Sequence, residues 1–115
     1  MYRVRLVKPV AARKRELEER LASGNRSNER EYKILSKGIE KLKVDYRSGV
    51  HISQKGHKKA FEYYRRKYGI ENLWKLNVSR DWRMVYTVVT DGLEVISFIL
   101  DLTDHKRYNK IFGYK

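Results

Sequence analysis

The sequence predicts a single α+β domain over residues 1–115: an N-terminal strand, an αα-hairpin, an antiparallel three-stranded sheet and a short C-terminal helix. Three observations carry this. Trp82–Asp101, WRMVYTVVTDGLEVISFILD, is two β-branched and aromatic runs about an Asp-Gly pair. Apolar residues between Val10 and Tyr46 recur mostly at helical steps. At 115 residues the chain has room for one modest core.

Taken in order, Tyr2–Val7 alternates Tyr2, Val4 and Leu6 with Arg3, Arg5 and Val7, the period of a half-buried strand. Pro9 closes it. Val10–Ala22 reads as a helix with Val10, Leu17 and Leu21 along one side. Ser23-Gly24-Asn25 ends that helix, with Gly24 suited to the left-handed position after it. Asn28 and Glu31 have the spacing of a capping box at the start of a second helix. Tyr32, Leu35, Ile39, Leu42 and Tyr46 then form one apolar stripe, about five turns long at 3.6 residues per turn. The downstream sheet is the surface on which this hairpin packs.

Residues 47–72 read as a basic connector. Within it Arg47–Lys67 holds seven Lys or Arg against the single acid Glu62, a net +6. Lys58–Tyr68 suits a short basic helix with Phe61, Tyr64 and Tyr68 on one side. Leu73–Val78 is the next strand, with Lys75 and Asn77 on the face opposite Trp74, Leu76 and Val78. With Asp91-Gly92 as a two-residue turn, Thr90 faces Leu93, Tyr86 faces Ser97 and Arg83 faces Leu100. Asp104–Gly113 forms a short polar helix or turn. The helices are expected to cover one sheet face and leave the other partly open.

Charge narrows the partners. Lys and Arg total 27 against 14 Asp and Glu, a formal +13, which predicts a polyanionic partner, nucleic acid or acidic protein. The chain has no Cys, which excludes disulfides and thiolate metal sites and predicts a cytoplasmic protein. No apolar run reaches membrane-spanning length, so no membrane partner is expected. Basic residues interleaved with aromatics in Arg47–Lys67 suit phosphate contacts and base stacking. Arg83, at the end of an apolar strand, must find water, a phosphate or a carboxylate such as Asp81 or Asp101. Asp101, Asp104 and His105 are conceivable metal ligands on one short stretch, but more readily solvated surface, and no metal site is predicted.

Leu73–Tyr86, LWKLNVSRDWRMVY, and Asp104–Tyr114, DHKRYNKIFGY, resemble RelE/ParE-superfamily toxins, with the closer likeness to the archaeal RelE-like branch. The resemblance implies the toxin of a type II toxin–antitoxin pair, a ribosome-dependent endonuclease that cleaves mRNA by attack of the ribose 2′-OH, without metal or other cofactor. It implies catalytic roles for Lys75, Arg83, His105 and Tyr108: Lys75 and Arg83 for phosphate stabilisation, His105 for proton transfer, Tyr108 for stacking or support. Asn77 stands where the bacterial pattern has a second lysine. The family's C-terminal tyrosine has no clean match, and Tyr108 or Tyr114 is the substitute. Lys55, Lys58, Lys59, Arg65, Arg66, Lys67, Asn77, Arg80, Lys106 and Arg107 form the expected RNA-binding set. The implied partners are a cognate antitoxin, the ribosome and mRNA, and operator DNA through the antitoxin complex. Two other readings fit the same fold: a non-catalytic ParE-like inhibitor of a protein such as DNA gyrase, and a plain nucleic-acid-binding domain.

Overall fold

The two strands predicted to be central are central. In the computed structural model, which describes residues 2–113, the strands β1 (Arg3–Leu6), β2 (Val50–Ile52), β3 (Leu73–Asn77), β4 (Trp82–Asp91) and β5 (Glu94–Asp104) form one mixed sheet. Its order is β1-β5-β4-β3-β2. The helices are α1 (Lys8–Ala22), α2 (Glu29–Val44), α3 (Lys58–Tyr68) and α4 (His105–Phe112), with a 3₁₀ turn at Tyr46–Ser48. The fold class is α+β, with five strands where the sequence predicted four. β1 runs parallel to β5 and pairs Arg3 with Ile96 through Leu6 with Ile99.

The additional strand, β2, comes from the expected connector, which is structured over most of its length. Val50, His51 and Ile52 pair with Lys75, Trp74 and Leu73 of β3. α3 then crosses the face that was expected to stay partly open. Phe61 and Tyr64 of α3 and Tyr108, Ile111 and Phe112 of α4 pack there with Ile52, Leu73, Val85 and Leu100. On the opposite face Val10, Leu17, Ile34, Leu35 and Leu42 of α1 and α2 pack on Leu76, Met84, Tyr86 and Ile99. The molecule therefore has three layers and two cores, one on each side of the sheet. Sequence reasoning assigned the basic charge of Lys58–Tyr68 to a partner and underweighted its apolar side, which brings Ala60, Phe61 and Tyr64 into the second core.

Two register details differ from expectation. The β4–β5 turn is centred on Gly92 and Leu93, with Asp91 opposite Glu94 and Thr90 opposite Val95. Gly92 has φ +61° and is the only turn-centre residue in the left-handed region, as a Gly-first two-residue turn requires. This moves each partner two residues along β5, so side chains keep their faces. A bulge follows: Tyr86 pairs with Ile99 but Val85 with Asp101, leaving Leu100 without a partner. Beyond it the faces of β5 exchange, and Arg83 lies opposite Thr103 rather than Leu100.

At the helix ends, Pro9 sits in the first turn of α1, where its missing N–H costs nothing. Asn28 precedes α2 but its side chain makes no cap hydrogen bond. Its Oδ1 instead accepts from Arg20, and Glu31 takes a two-pronged bond from Arg13 at 2.7 and 2.8 Å, so both residues of the expected capping box tie α2 to α1.

Candidate active site

The site begins at the β3–β4 end of the second core. Antiparallel pairing puts Lys75 opposite Val85, and Asn77 opposite Arg83. Partners across a ladder share a face, so Lys75, Asn77 and Arg83 lie on the side covered by α3 and α4. α4 starts directly after β5. Asp104 caps it, accepting from the Arg107 backbone N–H at 2.8 Å, and the His105 N–H donates to the Asp81 carbonyl at 2.7 Å. That anchoring directs Tyr108 inward, where it is 3% exposed and stacks on Phe112 with ring centroids 4.1 Å apart.

Tyr108 then meets both sheet cations. The Lys75 ammonium lies 5.6 Å from the ring centroid and the Arg83 guanidinium 5.9 Å. Neither forms an ion pair among the described residues. Arg83 Nη1 donates to the carbonyls of Ser79, Arg80 and Trp82 at 3.1–3.2 Å, which fixes the group without neutralising it. Both carboxylates considered for Arg83 are engaged elsewhere: Asp81 lies 3.7 Å from Arg30, and Asp101 takes Arg107 at 2.7 Å. Two cations beside one buried ring, without an ion pair among the described residues, make a place where negative charge is favoured.

No family model, curated protein or solved structure matches this chain.

Lys75, Arg83 and Tyr108 are thus brought together; His105 is not joined to them by any contact. It is exposed on the first turn of α4, and its Nε2 lies 3.1 Å from the Asn109 amide. Tyr114, the other tyrosine candidate, lies outside the described residues. The conceivable metal ligands have other partners: Asp101 accepts from Tyr64 Oη at 3.0 Å as well as from Arg107, and Asp104 caps α4.

The expected RNA-binding residues fall into three places. Asn77, Arg80 and Lys106 are exposed and border the Lys75–Arg83 end. Lys55, Lys58 and Arg65 lie with Glu62 on one side of α3, where Glu62 pairs with both Arg65 and Arg66 at 3.0 and 3.1 Å. Lys59, Arg66, Lys67 and Arg107 line a groove between α3 and α4. Arg107 loses solvation by burial, but the hydrogen bond and charge of Asp101 outweigh that and hold its pKa above the ordinary value.

Sequence reasoning missed two contacts here. Asp101 reaches Arg107 because the Leu100 bulge turns it to the α3–α4 side; one residue fewer would point it at the opposite core. A bulge leaves no mark in an apolar run. Tyr63 lies off the Phe61–Tyr64–Tyr68 side, and its hydroxyl accepts from Lys67 Nζ at 3.1 Å and Arg107 Nη2 at 3.3 Å. The i, i+4 spacing of Tyr63 and Lys67 on a helix was the available signal.

Proposed function

We propose that the protein is a metal-independent endoribonuclease, the toxin of a toxin–antitoxin pair, which cleaves mRNA in the ribosome by attack of a ribose 2′-oxygen on the adjacent phosphate. The observation that carries this reading is the convergence of Lys75 and Arg83 on Tyr108 with no carboxylate among the described residues to neutralise either. In the reaction the 2′-O–P bond forms and the P–O5′ bond breaks, giving a 2′,3′-cyclic phosphate and a 5′-hydroxyl. Charge accumulates on the phosphorane oxygens at midpoint, and pre-placed donors there lower the barrier without reorganising. Lys75 offers its ammonium, and Arg83 offers Nε and Nη2, which donate to no group among the described residues. Tyr108 positions both cations.

His105 is the proton-transfer group in this reading. Its ring is accessible to solvent, and an imidazole can either remove the 2′-OH proton or supply one to the leaving 5′-oxygen. The exposed cations Arg80 and Lys106 beside the site bind flanking phosphates. A cognate antitoxin with an acidic segment complements the same surface, and the pair binds its operator DNA.

The test is in vitro translation of a defined mRNA, with and without ribosomes, mapping new 5′ ends. Ribosome-dependent cuts within A-site codons that disappear in Arg83→Ala support the reading. Translation arrest without cleavage would replace it with inhibition of a protein target, and salt-sensitive binding without arrest would replace it with a binding module.

A further inference from the structure

The groove between α3 and α4 lies beside the proposed catalytic pair and has its own chemistry. Lys67 Nζ and Arg107 Nη2 both donate to one neutral oxygen, the Tyr63 hydroxyl, at 3.1 and 3.3 Å. Two cations sharing a neutral acceptor repel one another, and a phenol oxygen cannot offset that as a carboxylate does. Asp101 engages only the Nη1 side of Arg107. Lys67 has no ion pair among the described residues, although its ammonium also lies 4.9 Å from the Tyr63 ring centroid.

The phenol accepts both bonds, and its own proton donates to no described group. One O–H and the spare N–H bonds of two cations therefore meet at the groove wall, and these have no further acceptor among the described residues. Lys59 and Lys110 border the same groove, also without ion pairs among the described residues, and the one acid there, Glu62, is taken by Arg65 and Arg66.

We infer that Tyr63, Lys67 and Arg107 form a phosphodiester subsite that holds single-stranded RNA away from the scissile bond. The subsite rests on the ribonuclease reading for its substrate class, but its residues are separate from Lys75, Arg83 and His105. It raises affinity for the strand and leaves the chemical step alone. A single strand fits better than a duplex because the donors lie in a groove between two helices, where one backbone can enter. The aligned Lys59 and Lys110 take neighbouring phosphates.

The experiment is fluorescence anisotropy of the full chain with a short labelled single-stranded RNA across a salt series, beside single-turnover cleavage at saturating RNA. Lys67→Gln should weaken binding about tenfold and lower the slope of log K against log salt by about 0.7. Tyr63→Phe should weaken binding with the slope unchanged. Lys37→Gln, a cation on α2 with no ion pair among the described residues, should alter neither, and its single-turnover cleavage should match the parent. Unchanged affinity and slope in both Lys67→Gln and Tyr63→Phe would overturn the subsite even if the protein cleaves RNA. Equal weakening for duplex DNA would overturn the single-strand assignment. Loss of affinity in these variants, in a protein that cleaves nothing, would uphold the subsite and remove the ribonuclease reading instead.

Discussion

Lys75 and Arg83, on neighbouring strands, bring their charges to 5.6 and 5.9 Å from the centroid of one ring, that of Tyr108. Two cations beside the same aromatic ring, without a carboxylate, is an arrangement that stability alone does not favour. Replacing Lys75 with Met should therefore leave the melting temperature unchanged or raise it, because like-charge repulsion is removed, whereas Arg83→Met also gives up three hydrogen bonds to backbone carbonyls. In the proposed reaction the same changes should lower the cleavage rate about 10²–10³-fold, the effect of losing one donor to a developing oxyanion. A variant that loses stability and activity in parallel would show the cations to be structural.

His105 separates from the pair in its expected behaviour. It is exposed, and its ring nitrogen Nε2 lies 3.1 Å from the Asn109 amide. His105→Ala should change stability by no more than about 0.5 kcal/mol. Turnover should fall about 10²–10⁴-fold with RNA affinity retained. Equal loss of turnover and affinity would remove the proton-transfer role.

Tyr86 gives a prediction about the fold. Its hydroxyl donates to the Tyr46 carbonyl at 2.7 Å and accepts from the Gly49 N–H at 3.1 Å, joining β4 to the start of β2. Tyr86→Phe leaves both backbone groups without that partner and should cost about 1–3 kcal/mol in urea unfolding. Burial raises the Tyr86 phenol to about 12, partly offset by the Gly49 N–H. The folded state thus holds this proton more tightly than the unfolded chain, whose tyrosine titrates near ~10. The resulting stability is complete below about pH 10 and is lost as pH rises through about 12. Tyr86→Phe should make that alkaline decline shallower; the part that remains belongs largely to Tyr64, raised by burial and by Asp101.

Gly49 is needed for close approach, not for backbone freedom, since its φ of −92° suits any residue. An added Cβ would overlap the Lys75 carbonyl and lie 2.6 Å from Tyr86 Oη. Gly49→Ala should destabilise the protein by about 1–3 kcal/mol and, by displacing Lys75, reduce cleavage as well. A fully active, fully stable alanine variant would contradict the β2–β3 packing described above.

The elements with strong periodicity were legible in the sequence. β1, the helix hairpin, α3 over Lys58–Tyr68, the three later strands and the C-terminal helix all stand where patterning put them. β2 escaped because three residues give too short a run to show alternation, and Val50 and His51 are exposed. The turn moved by one residue because Asp-Gly and Gly-Leu both place a glycine at a turn centre. Which residue precedes the glycine decides less than the ladder beyond it. Of the proposed catalytic set, alternation placed Lys75 on a face with Asn77, and the β3–β4 register adds Arg83 to that face. That Tyr108 would come between them required knowing where α4 docks, which is a matter of the second core and of no local signal.

The parallel pairing of β1 with β5 orders events in time. Arg3–Leu6 have no strand to join until Ile96–Ile99 are in position, a closure across most of the chain. The β4–β5 hairpin closes through two residues and can form first. Contacts made late are largely absent from the transition state, so weakening β1 speeds unfolding more than it slows folding, while weakening the hairpin slows folding. The first segment of the chain thus acts as a latch on a sheet assembled before it, and the lifetime of the native state is set where β1 docks on β5.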